Sequence, residues 1–130
     1  MIVVISSTGK DTTASIDPRF GRCAYYIAYD LEKDTFKAVE NTSRNATGGA
    51  GIQAAQAVAD MDADAVITTN IGPNAFRVLE AAGIKVYSGT TGTVSQAIED
   101  LKKGSLGTAK SPNVGEKFGM GQGPGRGGMN

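Results

Sequence analysis

Histidine and tryptophan are absent from this chain of 130 residues, and cysteine occurs once, at position 23. Without histidine, one chain cannot form a Ser-His-Asp triad, a Cys-His pair or a histidine-ligated metal site. A single cysteine also excludes an intramolecular disulfide and is typical of a reducing cytoplasm. We therefore expect a cytoplasmic protein without histidine-dependent catalysis.

An excess of charge is also missing, because 13 basic and 13 acidic residues cancel. A neutral chain has no general attraction to nucleic acid or to anionic lipid. The first residues, MIVVISSTGKD, contain a short apolar run and no basic segment, unlike a secretory signal. No apolar run is long enough to cross a bilayer. The sequence therefore predicts a protein that binds neither nucleic acid nor membranes.

The apolar pattern predicts one α/β domain over residues 1–106. A continuous apolar run at residues 2–5 is typical of a buried central strand, and the alternation across residues 23–41 predicts an antiparallel hairpin. Helical spacing then alternates with short apolar runs, which gives the element order β-β-β-α-β-α-β-α. The later βα units should be parallel, with the hairpin as an antiparallel edge.

Residues 107–130 are rich in glycine and have no apolar periodicity. Such a segment cannot bury enough surface to offset the entropy lost on ordering. We predict a flexible C-terminal tail, with folding over a ligand as the alternative.

Three glycine-bearing segments precede predicted helices: TGGAG at residues 47–51, NIGPN at residues 70–74 and GTTGT at residues 89–93. Helix N-termini carry free N–H groups and positive dipole ends, which favour anions. In α/β sheets, ligands usually bind at the edge where the strands end and the helices begin. Capping alone explains GTTGT. For the other two segments, capping and ligand binding are equally good explanations. None of them is a nucleotide-binding fingerprint.

The stretch DPRFGRCAYY contains two arginines and the single cysteine. Arg19 and Arg22 offer planar forks for carboxylate or phosphate oxygens, unless they are solvated or one pairs with Asp17. Cys23 alternates with apolar neighbours, which favours a core position. If it is exposed, a nearby arginine would lower its pKa and favour a metal-binding thiolate. One thiolate cannot hold an iron–sulfur cluster alone, so such a cluster would be shared, labile or preformed.

The acidic residues do not predict catalysis. Asp60, Asp62 and Asp64 lie at a helix–strand turn, where aspartate caps and is solvated. A nuclease of ribonuclease H type needs acidic residues on its first strand, and MIVVI has none. Fold similarity alone does not indicate an activity, so we expect that the protein is not an enzyme.

Three motifs, DPRFGRCAYYIAYD, GGAGIQAAQAVAD and NIGPNAFRVLEAAGIKVY, occur in this order and closely resemble the dinitrogenase iron–molybdenum cofactor biosynthesis family. That family includes NifX-type and NafY-type carriers, the C-terminal part of NifB-type proteins and small stand-alone members. The resemblance covers residues 1–105. It implies a three-layer α/β/α ribonuclease H-like fold with a five-stranded mixed sheet. It also implies non-catalytic binding of the iron–molybdenum cofactor or an iron–sulfur precursor, exchanged with donor and acceptor proteins.

The resemblance also implies a set of cofactor-binding positions, among which Cys23 would be the metal ligand. Nitrogenase-linked relatives have been suggested to use a histidine ligand, which this chain lacks, so a simpler iron–sulfur species is a second interpretation. A regulatory or scaffolding domain that binds an anionic metabolite without metal is the alternative function. The implied positions are Arg19, Phe20, Gly21, Arg22, Cys23, Gly48, Gly49, Gly51, Asn70, Gly72, Pro73 and Asn74.

Overall fold

The structure, a computed structural model, describes residues 1–109 and 111–114, and its centre is a five-stranded mixed sheet. The strands are β1 Ile2–Ser7, β2 Tyr25–Asp30, β3 Thr35–Glu40, β4 Ala65–Ile67 and β5 Lys85–Tyr87. Their spatial order is β3-β2-β1-β4-β5. β2 is antiparallel to both β1 and β3, whereas β4 is parallel to β1 and β5. The predicted mixed sheet and its antiparallel hairpin are thus confirmed.

Among the described residues, three α-helices cover the two faces of this sheet. The helices are α1 Ala50–Asp60, α2 Pro73–Ala81 and α3 Val94–Lys102, and a short 3-10 turn spans Phe20–Arg22. Buried side chains of α1 and α2 belong to one core cluster, and those of α3 belong to a second cluster. The element order and the α/β/α layers therefore agree with the prediction, while the ribonuclease H-like name for this topology stays a prediction.

The apolar sides of two helices differ in detail from the predicted ones. In α1, Ala54 is buried and Ile52 is only half-buried, because α1 packs against α2 as well as against the sheet. In α2, Ala75 is buried whereas Ala82 lies just past the helix and is exposed. The buried arc of each helix is therefore shifted towards the neighbouring helix.

The carboxyl ends of four strands lie at one edge of the sheet. β1, β3, β4 and β5 all run in the same direction, as follows from the strand pairing. The segments that follow them lead to the 3-10 turn and to the starts of α1, α2 and α3. The topology therefore brings all the glycine-bearing segments to this edge. No helix among the described residues is both long and apolar enough to cross a membrane.

Part of the segment that follows α3 contacts the domain. The Ala109 N–H donates to the Val86 carbonyl at 2.7 Å, and Ala109 packs against the core cluster of α1 and α2. The Asn113 N–H donates to the Ile71 carbonyl at 3.0 Å. The sequence predicts a flexible tail over residues 107–130. Of these, residue 110 and residues 115–130 lie outside the described residues, so for them the flexible tail stays a prediction.

Candidate functional site

The arginine loop (residues 19–23) lies beside the α2 loop (residues 70–74) at the carboxyl edge of the sheet. The Asn70 N–H donates to the Pro18 carbonyl at 3.0 Å, and the Phe20 N–H donates to the Asn70 carbonyl at 3.3 Å. Arg19 and Asn70 thereby form a parallel bridge. Two of the predicted site segments are therefore joined by backbone hydrogen bonds.

The α1 start (residues 47–51) packs against the arginine loop through two glycines. A Cβ atom on Gly21 would lie 3.0 Å from the Gly51 Cα and 3.1 Å from its nitrogen. A Cβ on Gly51 would lie 3.5 Å from the Cβ of Ala75 in α2. Gly21 is thus required for the close approach of two backbones, and Gly51 lies between the arginine loop and α2. The structure brings all three motif segments together.

Asn41, which the sequence analysis did not predict as a site residue, forms hydrogen bonds with the backbone of the arginine loop. Its Nδ2 donates to the carbonyls of Gly21 at 3.0 Å and Cys23 at 2.9 Å. The side chain is almost fully buried, and its Oδ1 accepts from the Ser43 N–H at 3.1 Å. The contact between Asn41 and Ser43 is an Asx turn. An asparagine directly after β3 is the one feature of the sequence that could have indicated this turn.

Cys23 lies just before β2 and is fully buried. Its Sγ donates to the Phe20 carbonyl at 3.4 Å, and the Tyr26 hydroxyl donates to the same oxygen. Burial raises the pKa of the Cys23 thiol to about 12, so the group is protonated near neutral pH. A reactive thiolate requires an exposed sulfur, and Cys23 is not exposed in this conformation. The role of Cys23 as a metal ligand therefore stays a prediction.

Both arginines of the loop make contacts within the protein. The Arg19 Nε lies 3.5 Å from the Asp17 Oδ1, an ion pair in which the arginine side chain is 40% exposed and the aspartate 6%. The Arg22 Nη1 donates to the Arg44 carbonyl at 3.0 Å. A guanidinium carries five N–H donors, so each arginine retains donors for a ligand. The alternative of pairing with Asp17 is therefore confirmed for Arg19.

The starts of the three helices differ in how their N–H groups are satisfied. At the α3 start (residues 89–93), the Thr93 Oγ1 accepts from the Gln96 N–H at 3.1 Å. The N–H groups of Val94 and Ser95 donate to the carbonyls of Ala14 and Thr12 at 2.9 and 2.8 Å. The capping explanation of GTTGT is thus confirmed.

The starts of α1 and α2 have no side-chain cap. Gly49 caps α1 in the left-handed conformation, with φ 75°, and Gly72 caps α2 in an extended conformation. Within the described part of the chain, the N–H groups of Ala50, Gly51 and Asn74 have no acceptor. These two helix starts therefore leave donors and positive dipole ends beside the arginine loop.

Two buried hydroxyl groups link the strands below the site, and neither was predicted. The Ser6 Oγ donates to the Asp17 carbonyl at 2.8 Å and lies 2.8 Å from the Thr68 Oγ1. Because Ser6 gives its single proton to Asp17, the Thr68 hydroxyl donates to Ser6. This network fixes the segment before the arginine loop against β4.

Comparison with known proteins identifies the family. The family model described as dinitrogenase iron-molybdenum cofactor matches residues 1–104. The chain belongs to this family. An uncharacterised protein of Methanocaldococcus jannaschii is 35% identical over 94 residues, which are 70% of this chain and 80% of that protein.

Two solved structures support the membership in the dinitrogenase iron–molybdenum cofactor family. The apo form of the orange protein from Desulfovibrio gigas is 36% identical, with a TM-score of 0.85 over 87% of this chain and 96% of that chain. A putative NifB protein from Thermotoga is 37% identical, with a TM-score of 0.76 over 87% and 97%. The family places the chain among proteins associated with the iron–molybdenum cofactor.

The residues of this family member fit a preformed anionic ligand better than a metal ion held by the chain. The described residues contain no group of three His, Cys, Asp or Glu side chains that could hold a metal ion. Asp64, one of the three aspartates of the turn after α1, accepts from the Ile2 N–H of β1 at 2.8 Å, so this carboxylate bonds to the neighbouring strand and does not cap its own turn. Backbone N–H groups and arginines suit the oxygen or sulfur atoms of an anion.

Proposed function

We propose that this family member is a non-catalytic carrier that binds an anionic iron–molybdenum cofactor or iron–sulfur precursor during metallocluster assembly. The observation that supports it is the convergence of the arginine loop and the two uncapped helix starts at one edge of the sheet. The carrier would act in the cytoplasm and exchange its cargo with donor and acceptor proteins.

The binding surface would hold its cargo by charge and hydrogen bonding. The N–H groups at the starts of α1 and α2 donate to the anion, and the guanidinium groups of Arg19 and Arg22 neutralise its charge. Ion pairing keeps Arg19 beside the buried Asp17 carboxylate, which orders its side chain before the cargo binds. Such a surface binds a finished cluster without forming or breaking its bonds, which is what a carrier requires.

Cys23 can ligate a metal only after the arginine loop opens. In the described conformation its sulfur is buried and bonded to the Phe20 carbonyl, and Asn41 holds the carbonyl of Cys23. Opening the loop breaks these contacts and lets the thiol lose its proton in water. We therefore propose that cargo binds first through N–H groups and arginines, and that any bond to Cys23 forms in a second step.

The second candidate is a regulatory or scaffolding domain that binds an anionic metabolite without metal. The burial and raised pKa of Cys23 favour this candidate, because they remove the only thiolate from the surface. The same N–H groups and arginines would bind the carboxylate or phosphate of the metabolite.

Anaerobic titration with isolated iron–molybdenum cofactor, and separately with iron and sulfide, tests the carrier. Visible absorbance and gel filtration would show whether metal travels with the protein. We expect Arg19→Ala and Arg22→Ala each to lower affinity by about tenfold, since each removes charge-assisted hydrogen bonds. Arg77→Ala, at an exposed position of α2, is the control for loss of charge and should bind as the wild type does.

The result with Cys23→Ser separates the two binding steps. Loss of bound metal in this variant would make Cys23 a ligand, whereas retained binding would assign the cargo to the N–H groups and arginines alone. If the wild type binds neither probe, the carrier function is refuted for this member. Anionic metabolites would then be the ligands to test.

A further inference from the structure

We propose that Asn113 is a positioning residue for the α2 loop, so that a described residue beyond α3 contributes to ligand binding. This inference rests on the proposed function of the same edge of the sheet. Residue 113 lies beyond residues 1–104, which the family model matches, and within the segment whose sequence predicts a flexible tail.

Asn113 makes two hydrogen bonds with the α2 loop and a third with Thr69, the residue before that loop. Its Oδ1 accepts from the Ile71 N–H at 2.7 Å, and its Nδ2 donates to the Thr69 carbonyl at 2.9 Å. Its own N–H donates to the Ile71 carbonyl at 3.0 Å. One asparagine thus bonds both backbone groups of Ile71, and it adds a second donor to the Thr69 carbonyl, which also accepts from the Gly89 N–H.

These contacts complete a pattern that alternates along the chain. The N–H of Asn70 donates to Pro18 and its carbonyl accepts from Phe20, whereas both backbone groups of Ile71 are bonded to Asn113. The Thr69 carbonyl accepts from the Gly89 N–H at 2.8 Å as well as from the Asn113 Nδ2. Alternation of this kind is the bonding pattern of a strand with a partner on each side. The chain from Thr69 to Ile71 is therefore held as a short extension of β4, with Gly89 bonded to its first residue and Asn113 bonded to its last.

The position of this short extension determines where the donors of α2 lie. Ile71 is directly followed by Gly72 and Pro73, the cap and first residue of α2. The Ile71 side chain is buried, so a shift of its backbone would also disturb the core. By fixing Ile71, Asn113 fixes the N–H groups at the start of α2 relative to Arg19.

Another described residue after α3 is also bonded to the domain. The Ala109 N–H donates to the Val86 carbonyl of β5, four residues before Asn113. The described residues after α3 therefore contact the edge strand β5 at Ala109 and the α2 loop at Asn113. A side chain attached in this way can order the loop before the ligand arrives, which reduces the ordering cost of binding.

The contact and the ligand should be coupled in both directions. If the ligand binds the held form of the α2 loop more tightly, Asn113 raises ligand affinity, and the ligand strengthens the Asn113 contact by the same factor. Bound ligand should therefore slow amide exchange at Ile71. A residue with a purely structural role elsewhere would not produce this effect.

The test compares Asn113→Ala with Ser111→Ala, an exposed position of the same segment. Amide hydrogen exchange by NMR would be measured at Ile71 and at Asn70, and affinity would be measured with isolated iron–molybdenum cofactor. We expect Asn113→Ala to speed exchange at Ile71 by about tenfold and to lower affinity by about fivefold, as loss of one or two modest hydrogen bonds implies. Asn70, which donates to Pro18, should keep its protection and so report an intact fold.

The outcomes separate this inference from the carrier function. If the wild type binds the cofactor and Asn113→Ala binds it equally well, the positioning role is refuted and the carrier function stands. Rapid exchange at Ile71 in the wild type would also refute the positioning role. If the wild type binds neither the isolated cofactor nor iron and sulfide, the carrier function falls and this inference falls with it, even where Ile71 is protected.

Discussion

The start of α3 and the starts of α1 and α2 look alike in sequence, since each follows a glycine-bearing segment. They differ in whether the first N–H groups of the helix have a hydrogen-bond acceptor within the protein. At α3, a threonine side chain and two carbonyls from residues 12–14 accept the first N–H groups. At α1 and α2, glycine caps provide no side-chain acceptor, and Gly49 adopts φ 75°. Only the latter two starts lie against the arginine loop.

The difference shows that glycine before a helix does not by itself indicate a ligand site. A helix start becomes available to an anion when the chain supplies no acceptor of its own. At α1 the glycines have a second purpose, because Gly21 and Gly51 let two backbones meet at about van der Waals contact. The N–H groups at two helix starts are therefore available to a ligand and lie close together, whereas those at the third start are bonded within the protein.

Substitution of Gly21 by alanine should have the largest effect on this arrangement. The new Cβ would lie 3.0 Å from the Gly51 Cα, and both neighbours are backbone atoms that cannot rotate away. We expect the free energy of unfolding to fall by about 2 kcal/mol, as for other overpacked positions, and the start of α1 to separate from the arginine loop. Urea denaturation and cofactor titration would measure the two effects.

Gly48→Ala is the matched control for this substitution, because nothing lies within 4 Å of a Cβ at that position. Its unfolding midpoint should stay close to that of the wild type. Equal midpoints for the Gly21 and Gly48 variants would contradict the packing explanation of the R-F-G-R-C motif.

Removal of the threonine cap at α3 should have a smaller effect and should leave binding unchanged. Thr93→Ala removes the acceptor of the Gln96 N–H, and loss of such a cap costs about 1 kcal/mol. Thermal denaturation would measure the loss of stability, and cofactor titration should give the wild-type affinity. A clear fall in affinity would mean that the α3 start contributes to the site after all.

The sequence predicted the fold well because its periodic segments are long and consistent with one another. The alternation at residues 23–41 and the helical spacing after Gly49 and Pro73 each gave the right element type. The apolar alternation begins at residue 23, but strand β2 begins two residues later. The 3-10 turn at Phe20–Arg22 places Cys23 in the core cluster of α1 and α2 and not on the face that the alternation indicates. Alternation cannot reveal such a turn, since its cause is the packing of Phe20 on Tyr26.

The candidate site was only partly predictable, for a related reason. The starts of α2 and α3 could be assigned to one edge of the sheet, because the strands before them were expected to be parallel and parallel strands end together. Some of the contacts that hold these loops come from single asparagines at residues 41 and 113, which are distant in sequence from the groups they bond, and no local pattern indicates their partners. Burial of the Cys23 thiol likewise depends on neighbours that only the folded chain brings together.

The smallest expected change in stability, and the sharpest test of the comparison, comes from giving α2 the kind of cap that α3 already has. Gly72 has φ −87° and ψ 174°, the extended conformation of ordinary capping residues. Gly72→Asn and Gly72→Asp should each stabilise the ligand-free protein, by about 0.5 kcal/mol, since both side chains accept from the first turn. Thermal denaturation would measure this gain.

The two caps should differ in their effect on the ligand. Both occupy N–H groups that we assign to the anion, but only aspartate adds a negative charge beside it. Cofactor titration should therefore show a moderate loss of affinity for Gly72→Asn and a larger loss for Gly72→Asp. If both variants are stabilised and bind the cofactor as the wild type does, the N–H groups of α2 do not contact the ligand. The open helix start would then be a structural feature of the fold, and the arginine loop would have to hold the anion without it.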